Sequence, residues 1–476
     1  MRSRWSIPLA AALGGLAALN FAPYRLPLAM WISVAGLFWL ANRLQSARRR
    51  HVLAVGAIYG LAFMGTLIWW MNAVSSGAYV ALVLVEAGFF AVIFWALRRV
   101  APNPFALAGV WVVGELLRGS IPFSGFPWGR LAHTSLDTPL DAWVRLIGMA
   151  GTSLLMALVA ALVVRRLAMS FVAAVVVLTI GAVLPTGLAS PTGETRTIAL
   201  IQGNTPGPVN SWPLGEIFDL HVAATDTIDR DVDLVIWPEN GSDLDPFTNP
   251  AARLELIGLS ARVNAPLLIG AILNGPSKTT AYNAGVVVDE HGPWPDYYVK
   301  QNIVPYGEYV PFRQLLGPVV PRFDRDIPRD LLPGHRPGAM NVANMIVGDT
   351  ICWDIAYDKA IADSIGQGAN VIVVQTSNAS FMDFGRATQP EQQWDIARLR
   401  AIETGRWVLV PSTNGVSGMI DANGQVVKRA PTQQSATLIH DVPLASGTTR
   451  GIWSRIPVLA LAVVLSVARF LRRRST

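Results

Sequence analysis

Apolar residues fill most of the first 190 positions of the chain, in long stretches that are separated by short polar or basic connectors. An α-helix needs about 20 mostly apolar residues to cross roughly 30 Å of hydrocarbon, and fewer where it is short or shielded. The pattern predicts eight transmembrane helices, at 5–21, 27–43, 52–74, 78–97, 104–118, 142–164, 168–187 and 453–470. We therefore expect a polytopic α-helical membrane domain over residues 1–190 and an eighth helix with a basic cytoplasmic tail over residues 453–470.

Residues 195–447 carry a different pattern, in which short β-branched runs alternate with stretches of helical periodicity. Strands are predicted at 197–201, 232–237, 266–271, 284–288, 345–347, 370–374 and 407–410. Helices are predicted between some of them, as at 251–263 and 392–404. Asn423-Gly424, between two further short runs, is a hairpin signal. This alternation predicts a separate α/β domain over residues 195–447.

Charged residues divide the chain at the same point. Only four acidic side chains precede residue 191, whereas 28 lie between residues 191 and 450. Cytoplasmic loops of membrane proteins carry an excess of lysine and arginine. With the N-terminus inside the cell, 14 arginines fall on the cytoplasmic side of the predicted helices, and at most four lie in the short loops opposite. Seven crossings then place the α/β domain on the extracytoplasmic face.

The composition also excludes several kinds of site. Cys352 is the single cysteine, so the chain can form neither an internal disulfide nor a cysteine-rich metal site. The six histidines are too widely spaced for two of them to share a helix face as metal ligands. Much of the basic charge lies in short runs beside apolar segments, which makes nucleic acid a poor candidate partner. We expect no metal, no cofactor and no nucleic-acid partner.

Three polar groups follow strand-like runs, where an α/β sheet delivers catalytic side chains. Glu239 follows an apolar run that ends in Trp-Pro, Lys300 closes a short aromatic run, and Cys352 follows a β-branched run. A thiol needs a nearby base or cation to act as a nucleophile at neutral pH. Taken alone, each residue also has an ordinary explanation: a buried cysteine, a turn glutamate and a solvated lysine.

The sequence around these residues resembles the Glu-Lys-Cys triad of the nitrilase superfamily, in the segments Val235-Ile236-Trp237-Pro238-Glu239, Tyr298-Val299-Lys300 and Thr350-Ile351-Cys352-Trp353-Asp354. Further segments resemble one branch of that superfamily, the apolipoprotein N-acyltransferases: Phe21-Ala22-Pro23-Tyr24, Glu115-Leu116-Leu117-Arg118, Phe126-Pro127-Trp128, Gln202-Gly203-Asn204 and Val304-Pro305-Tyr306-Gly307-Glu308-Tyr309-Val310-Pro311. The number and order of the predicted transmembrane helices also fit this branch. The resemblance covers nearly the whole chain and implies an α-β-β-α sandwich for the polar domain.

The resemblance implies a two-step acyl transfer at the outer side of the bacterial cytoplasmic membrane. Cys352 would attack a phospholipid ester and form a thioester, with Glu239 as the base and Lys300 beside the developing oxyanion. The acceptor would be the α-amino group of the N-terminal S-diacylglyceryl cysteine of an apolipoprotein. The implied partners are therefore a phospholipid acyl donor, diacylglyceryl-modified apolipoproteins and the bilayer, and we expect a monomer.

Six further residues take expected roles from the same resemblance. Glu308 would hold Lys300 or assist in acid–base work, although a carboxylate on a loop surface remains an alternative. Substrate contacts are expected from Trp212, Tyr282, Asn283, Trp353 and Asp354. Trp212 could equally be a packing residue, and the pair Tyr282-Asn283 fits a role in shaping the pocket better than one in the reaction. Trp353-Asp354 departs from the Tyr-Glu pair that usually follows the family's cysteine.

Residues 305–340 are rich in proline and glycine and too long for a simple connector, which is typical of a functional lid or a flexible loop. Two bulky lipids must reach one sulfur atom in turn, so we expect this loop to border an opening toward the bilayer. Its apolar members include Val310, Phe312, Leu315, Leu316, Val319 and Val320. An ordinary folded loop packed on the domain is the alternative.

Within the membrane half, Glu86 interrupts an apolar run and Glu115 lies one helical turn before Arg118. These groups could be functional, or they could form an Arg118–carboxylate cluster that locks helices together. Trp69, Trp70 and Trp128 fit the aromatic belt of a membrane interface.

Two other classes of function remain open from the residues themselves. One is a membrane-tethered nitrilase-type amidase that acts on a small substrate. The other is an inactive membrane scaffold or transporter.

Overall fold

A computed structural model of the chain describes residues 5–165, 167–183, 190–205, 212–316, 327–382, 387–453 and 455–472. The chain divides into two compact units. The first unit comprises Met1–Thr186 and Thr449–Thr476, and the second comprises Gly187–Thr448. From the sequence we expected the first helical segment to end at residue 190, the α/β domain to span residues 195–447, and the last helix to begin at residue 453.

The first unit is helical. Its helices are α1 (Ser6–Ala18), α2 (Ala29–Arg43), α3 (Arg49–Leu67), α4 (Ser76–Val100), α5 (Pro104–Arg118), α6 (Asp141–Arg165), α7 (Leu167–Val183), α14 (Arg450–Trp453) and α15 (Arg455–Arg472). Within the described residues, three helices are long and apolar enough to cross a membrane, namely α3, α4 and α6. Shorter apolar helices lie at Ser6–Ala18, Phe171–Val183 and Arg455–Val467. The 15 residues of α5 rise only about 22 Å, because each residue of an α-helix adds about 1.5 Å.

Buried charges tie helices α4 and α5 together. Arg118, at the end of α5, donates to Glu86 of α4 at 3.1 Å, and both side chains are almost fully buried. The same guanidinium donates to the backbone carbonyls of Phe126 and Trp128. Glu115 does not join this pair, since its Oε1 accepts from the Trp111 indole and the Leu131 N–H. The predicted cluster therefore contains Arg118 and Glu86, with Glu115 bonded elsewhere.

The tryptophans of this unit differ from the interfacial arrangement that we expected. Trp70 and Trp128 are each 1% exposed and pack edge to face, with their ring centroids 5.9 Å apart. Trp69 is partly exposed. The assignment of Trp70 and Trp128 to a membrane interface is therefore wrong, because both rings are enclosed by protein.

The second unit contains two β-sheets. Its described strands are β1 (Ser190–Gln202), β2 (Leu234–Ile236), β3 (Leu267–Asn274), β4 (Thr280–Asp289), β5 (Gly292–Pro293), β6 (Tyr298–Val299), β7 (Asp330–Leu331), β8 (Ala339–Val342), β9 (Met345–Ile351), β10 (Val371–Gln375), β11 (Val408–Val410), β12 (Gly418–Ile420), β13 (Val426–Arg429) and β14 (Ala436–Ser446). The first sheet has the order β14-β1-β2-β3-β4-β5, and β6 and β7 also pair with β4. The second has the order β13-β12-β11-β10-β9-β8. The strands β1 to β3 and β9 to β11 are parallel, as expected where helices connect them.

Helices cover the outer face of each sheet. The helices of this unit are α8 (Glu216–Thr225), α9 (Pro250–Val263), α10 (Arg313–Leu316), α11 (Asp358–Gly366), α12 (Ala379–Met382) and α13 (Thr388–Thr404). Phe218 of α8 and Leu256 of α9 share an apolar core with Val235 and Val286 of the first sheet. Helices α11 and α13 pack on the second sheet, and the inner faces of the two sheets meet. This helix–sheet–sheet–helix order confirms the predicted α/β class of the domain.

The structure has a strand at each of the seven positions where the sequence predicts one. The predicted Asn423-Gly424 turn joins β12 to β13. Gly424 has φ +77°, a conformation that suits glycine. Strand β14, which pairs with β1 along most of its length, was not predicted. Its polar and half-buried residues alternate too weakly to indicate a strand.

The loop over residues 305–340 is partly described. Arg313 of α10 forms an ion pair with Asp330 of β7 at 2.7 Å, and the Val310 N–H donates to the same carboxylate. Phe312 and Leu315 are 65% and 73% exposed. Val319 and Val320, for which a place at the opening was expected, lie outside the described residues.

Candidate active site

Glu239 lies just beyond the end of β2, where the backbone passes very close to β3. A Cβ atom on Gly270 would lie 2.2 Å from the Pro238 carbonyl oxygen, so only glycine allows this approach. Gln375 of β10 donates to the Trp237 carbonyl at 2.8 Å. The Glu239 carboxylate accepts from the backbone N–H of Ser377 at 2.7 Å. Groups from both sheets therefore fix the position of this carboxylate.

Lys300 follows β6 and is 1% exposed. Its backbone N–H donates to the Asn283 carbonyl of β4, which extends the antiparallel pairing of the two strands. The Lys300 Nζ donates to Glu239 at 3.1 Å and to Glu308 at 2.8 Å. An ammonium group has three hydrogens, so these two bonds leave a third for another acceptor.

Glu308 is held from two directions. Its Oε2 accepts from the Val304 N–H at 2.7 Å, and its Oε1 accepts from Lys300. Asn283 donates through Nδ2 to Glu239 at 2.7 Å and to Glu308 at 3.2 Å. The amide of Asn283 and the amine of Lys300 therefore join the same two carboxylates.

Cys352 lies where β9 ends and a 3-10 helix, Cys352–Ala356, begins. Its φ is +53°, which is rare for a residue other than glycine and costs on the order of 1–3 kcal/mol. The thiol is buried, and its Sγ lies 4.0 Å from the Oε1 of Gln393 on α13. Strained backbone of this kind is concentrated at functional sites.

The electrostatics of the site favour a protonated thiol and a charged lysine. Burial raises the pKa of the Cys352 thiol well above its ordinary value, and Glu239 raises it further, although Lys300 acts in the opposite direction. Burial also raises the pKa of Glu239, against the opposing effect of Lys300. Burial alone would lower the pKa of Lys300, but Glu239 and Glu308 outweigh it and hold that pKa well above the usual range. A thiol in this state needs a base before it can attack.

The five residues with expected substrate contacts fall into different surroundings. Asn283 lies within the site, and Trp353 follows the thiol directly. Asp354 is fully buried, and its carboxylate accepts from the Tyr298 hydroxyl at 2.6 Å and from Asn302. The structure does not bring Tyr282 to the site, because strand alternation turns its side chain toward the apolar core under α9. Trp212 is half-buried just before α8.

Sequence reasoning missed three polar groups at this site. Gln393 and Thr376 lie beside the thiol, and the Ser377 N–H binds Glu239. Gln393 comes from a helix 41 residues beyond Cys352, and a glutamine in a polar helix has no distinctive local pattern.

Comparisons with known proteins cover both units. A family model described as "Apolipoprotein N-acyltransferase N-terminal domain" matches residues 13–162. A second, described as "Carbon-nitrogen hydrolase", matches residues 197–450. Among solved structures, an amidase of the nitrilase superfamily from Nesterenkonia is 18% identical, with a TM-score of 0.41, over 58% of this chain and 98% of the amidase chain.

Curated relatives match the chain from end to end. An apolipoprotein N-acyltransferase from Azotobacter vinelandii is 32% identical over 98% of this chain and 95% of its own length. One from Ralstonia nicotianae is 30% identical over 99% of this chain and 94% of its own length. With a carbon–nitrogen hydrolase region over more than half of its length and relatives of this extent, the chain belongs to the apolipoprotein N-acyltransferase family.

Proposed function

We propose that this protein transfers an acyl chain from a phospholipid, through a thioester on Cys352, to the α-amino group of the N-terminal S-diacylglyceryl cysteine of an apolipoprotein. The observation that carries the proposal is the buried network in which Lys300 bonds both Glu239 and Glu308. A strained, buried cysteine lies close enough for the charges of Glu239 and Lys300 to shift the pKa of its thiol. Family membership supplies the substrate class. The network supplies a nucleophile, a base and a cation.

In the first half-reaction, Glu239 takes the thiol proton as Sγ attacks the ester carbonyl of the phospholipid. The oxyanion forms near the third hydrogen of Lys300 Nζ and the backbone N–H that follows Cys352. When the tetrahedral intermediate collapses, the carbon–oxygen bond to glycerol breaks and Glu239 returns its proton to the leaving oxygen. The products are a lysophospholipid and the acyl thioester.

In the second half-reaction, the amine of the acceptor attacks the thioester carbonyl while Glu239 accepts a proton from the nitrogen. The carbon–sulfur bond breaks, and Sγ regains a proton as the new amide is released. Glu239 thus serves both steps as the proton carrier. Glu308 keeps Lys300 in place throughout, since it forms the shorter of the two ion pairs.

We place the first unit in the bacterial cytoplasmic membrane as eight transmembrane helices, with the second unit on the extracytoplasmic face. Three long apolar helices and several shorter ones support a membrane location. The arginine distribution, with 14 on one side and at most four on the other, supports the orientation. The protein acts as a monomer in this proposal.

The decisive experiment tests for an acyl adduct on Cys352. The purified full-length protein is mixed with phospholipid alone, and its intact mass is measured. We expect the mass to rise by one acyl chain, and we expect no adduct with Cys352→Ala. Glu239→Gln should slow adduct formation by on the order of 10² or more, the usual scale for general-base catalysis.

A diacylglyceryl lipopeptide is then added to the acylated protein. Loss of the adduct together with acylation of the peptide's α-amino group supports the proposal. Hydrolysis of a small amide without any lipid adduct would instead favour the tethered amidase, and normal transfer by Cys352→Ala would refute the mechanism.

A further inference from the structure

A second carboxyl group is buried near the site, and the mechanism does not use it. Asp349 lies on β9, three residues before Cys352, and is fully buried. Among the described residues, neither of its carboxyl oxygens has a hydrogen-bond partner. A buried polar group without a partner is costly and rare, so this carboxyl needs an explanation.

A second acceptor without a partner faces the same space. Gln375 of β10 is fully buried, and its Oε1 has no hydrogen-bond partner among the described residues. A Cβ atom on Gly285 of β4 would lie 1.9 Å from Asp349 Oδ2 and 2.9 Å from Gln375 Oε1. The missing side chain of Gly285 therefore provides the space into which both oxygens point. Both oxygens lie within 2.9 Å of the same point, and a single proton between them would satisfy both acceptors.

We propose that Asp349 is a neutral carboxylic acid that donates its proton to Gln375 Oε1, and that this bond positions Glu239. The link to catalysis rests on the proposed function of Glu239. Asp349 is a positioning residue here, because it contacts neither the substrate nor the reacting atoms.

The orientation of the Gln375 amide explains why the proton is needed. Gln375 Nε2 donates to the Trp237 carbonyl at 2.8 Å, two residues before Glu239. An ionised Asp349 would instead attract the Nε2 group, and the amide would then turn its oxygen toward the Trp237 carbonyl. Only a protonated Asp349 lets Gln375 satisfy both neighbours at once. The acid thereby selects the amide orientation that holds the Trp237–Glu239 segment.

The surroundings of Asp349 keep it neutral. Burial raises the pKa of Asp349 well above its ordinary value, and the nearby carboxylate of Asp354 raises it further. The Thr350 N–H lies close enough to lower this pKa, but it forms no hydrogen bond of normal geometry with the carboxyl. Asp354 in turn is bonded to Tyr298 and Asn302, so its position near Asp349 is fixed.

The hydrogen-bonded chain from Asp349 through Gln375 to Trp237 links the strand that carries the nucleophile to the strand that carries the base. Asp349 is part of β9, Gln375 is part of the neighbouring β10, and Trp237 follows β2 of the opposite sheet. The Ser377 N–H holds Glu239 from the same side of the site. The spacing between thiol and base therefore depends on a bond between the two sheets.

The test compares Asp349→Asn with Asp349→Leu in the full-length protein. Asparagine keeps the shape and can donate from Nδ2 to Gln375, so thioester formation should stay within about threefold of the wild type. Leucine cannot donate, and the rate should fall at least about tenfold. If the effect passes through Gln375, Asp349→Leu should cost little more in a Gln375→Leu background, because the bond is already absent there. Melting temperatures of all variants separate loss of fold from loss of positioning.

Infrared difference spectra provide a readout that does not depend on activity. At pH 8 the wild type should show a carbonyl band of a protonated carboxylic acid that disappears in Asp349→Asn. Absence of this band, or equal loss of rate in Asp349→Asn and Asp349→Leu, would overturn the proposal. A wild type that has the band but forms no thioester would refute the proposed function and leave the proton on Asp349 supported.

Discussion

Gln393 holds Cys352 at two points: its Nε2 donates to the Cys352 carbonyl oxygen at 3.3 Å, and its Oε1 lies 4.0 Å from the Cys352 Sγ. The amide is itself fixed, because Gln389 donates to its Oε1 at 2.7 Å. A strained backbone persists only where its surroundings hold it in place. Gln393 therefore supports the left-handed conformation that presents the thiol.

Replacing Gln393 by leucine should slow thioester formation by about tenfold. The change removes the donor to the Cys352 carbonyl at nearly constant volume, and a lost buried hydrogen bond costs on the order of 1 kcal/mol. Single-turnover acylation followed by intact mass measures the effect. The exposed Gln425→Leu serves as the control and should react at the wild-type rate. An unchanged rate in Gln393→Leu would show that the contact does not matter for reactivity.

Replacing Glu308 by glutamine should also lower the acylation rate by about tenfold, less than the loss expected for Glu239→Gln. The change removes one of the two negative charges that hold Lys300 and places an amide opposite the Val304 N–H. The same single-turnover assay applies. Glu290→Gln removes an exposed charge of the same kind and provides the control. Equal losses at Glu308 and Glu239 would mean that Glu308 shares the work of the base.

The acid limb of the pH profile should report Glu239, which must be ionised to accept the thiol proton. Because burial raises the pKa of this carboxyl, the rate should fall with decreasing pH at a higher pH than for an ordinary glutamate. The Asn283 hydrogen bond lowers that pKa, so Asn283→Leu should move the acid limb to still higher pH. Acylation rates measured across the pH range test this. A shift to lower pH would contradict the assignment of Glu239 as the base.

The exposed side chains of Phe312 and Leu315 should help the protein take its substrate from a membrane. Burial of apolar surface in lipid yields about 25 cal/mol per Å², and both side chains are mostly exposed in the second unit. The double variant Phe312→Ser, Leu315→Ser should slow acylation from phospholipid bilayers far more than acylation from a short soluble thioester. Leu254→Ser, at another exposed apolar position, is the control. Equal slowing on both substrates would mean that the loop supports the structure of the active site and does not act through contact with lipid.

The orientation of the protein can be tested by cysteine labelling on a Cys352→Ser background. Ser277, in an exposed turn of the second unit, and Ser46, between α2 and α3, are each changed to cysteine. A membrane-impermeant thiol reagent applied to intact cells should label the variant at Ser277 and spare the one at Ser46. The reverse pattern would reject the extracytoplasmic placement of the site.

The sequence was sufficient to predict residues with unusual local surroundings, and insufficient for those whose role depends on distant packing. Glu239, Lys300 and Cys352 each follow a short apolar run, and the structure joins Glu239 and Lys300 directly. The local sequence around Gln393 and Gln375 has no distinctive pattern. Only the packing of a helix and a strand brings these two side chains to the site. The assignment of Trp70 and Trp128 to a membrane interface was wrong for a related reason. Hydropathy does not distinguish a ring that faces lipid from one that packs against another ring.

The position of Lys300 between two carboxylates leaves the buried network with one more acidic group than basic ones. At neutral pH an aliphatic amine arrives largely as an ammonium ion and is drawn toward such a network, whereas a phosphate is repelled by it. A phospholipid would therefore present its ester with the headgroup turned outward. The acceptor ammonium would be drawn toward the network and lose one proton to water, so that the neutral amine attacks and Glu239 takes the second proton. The same three side chains would thus orient the two lipids differently according to their charge.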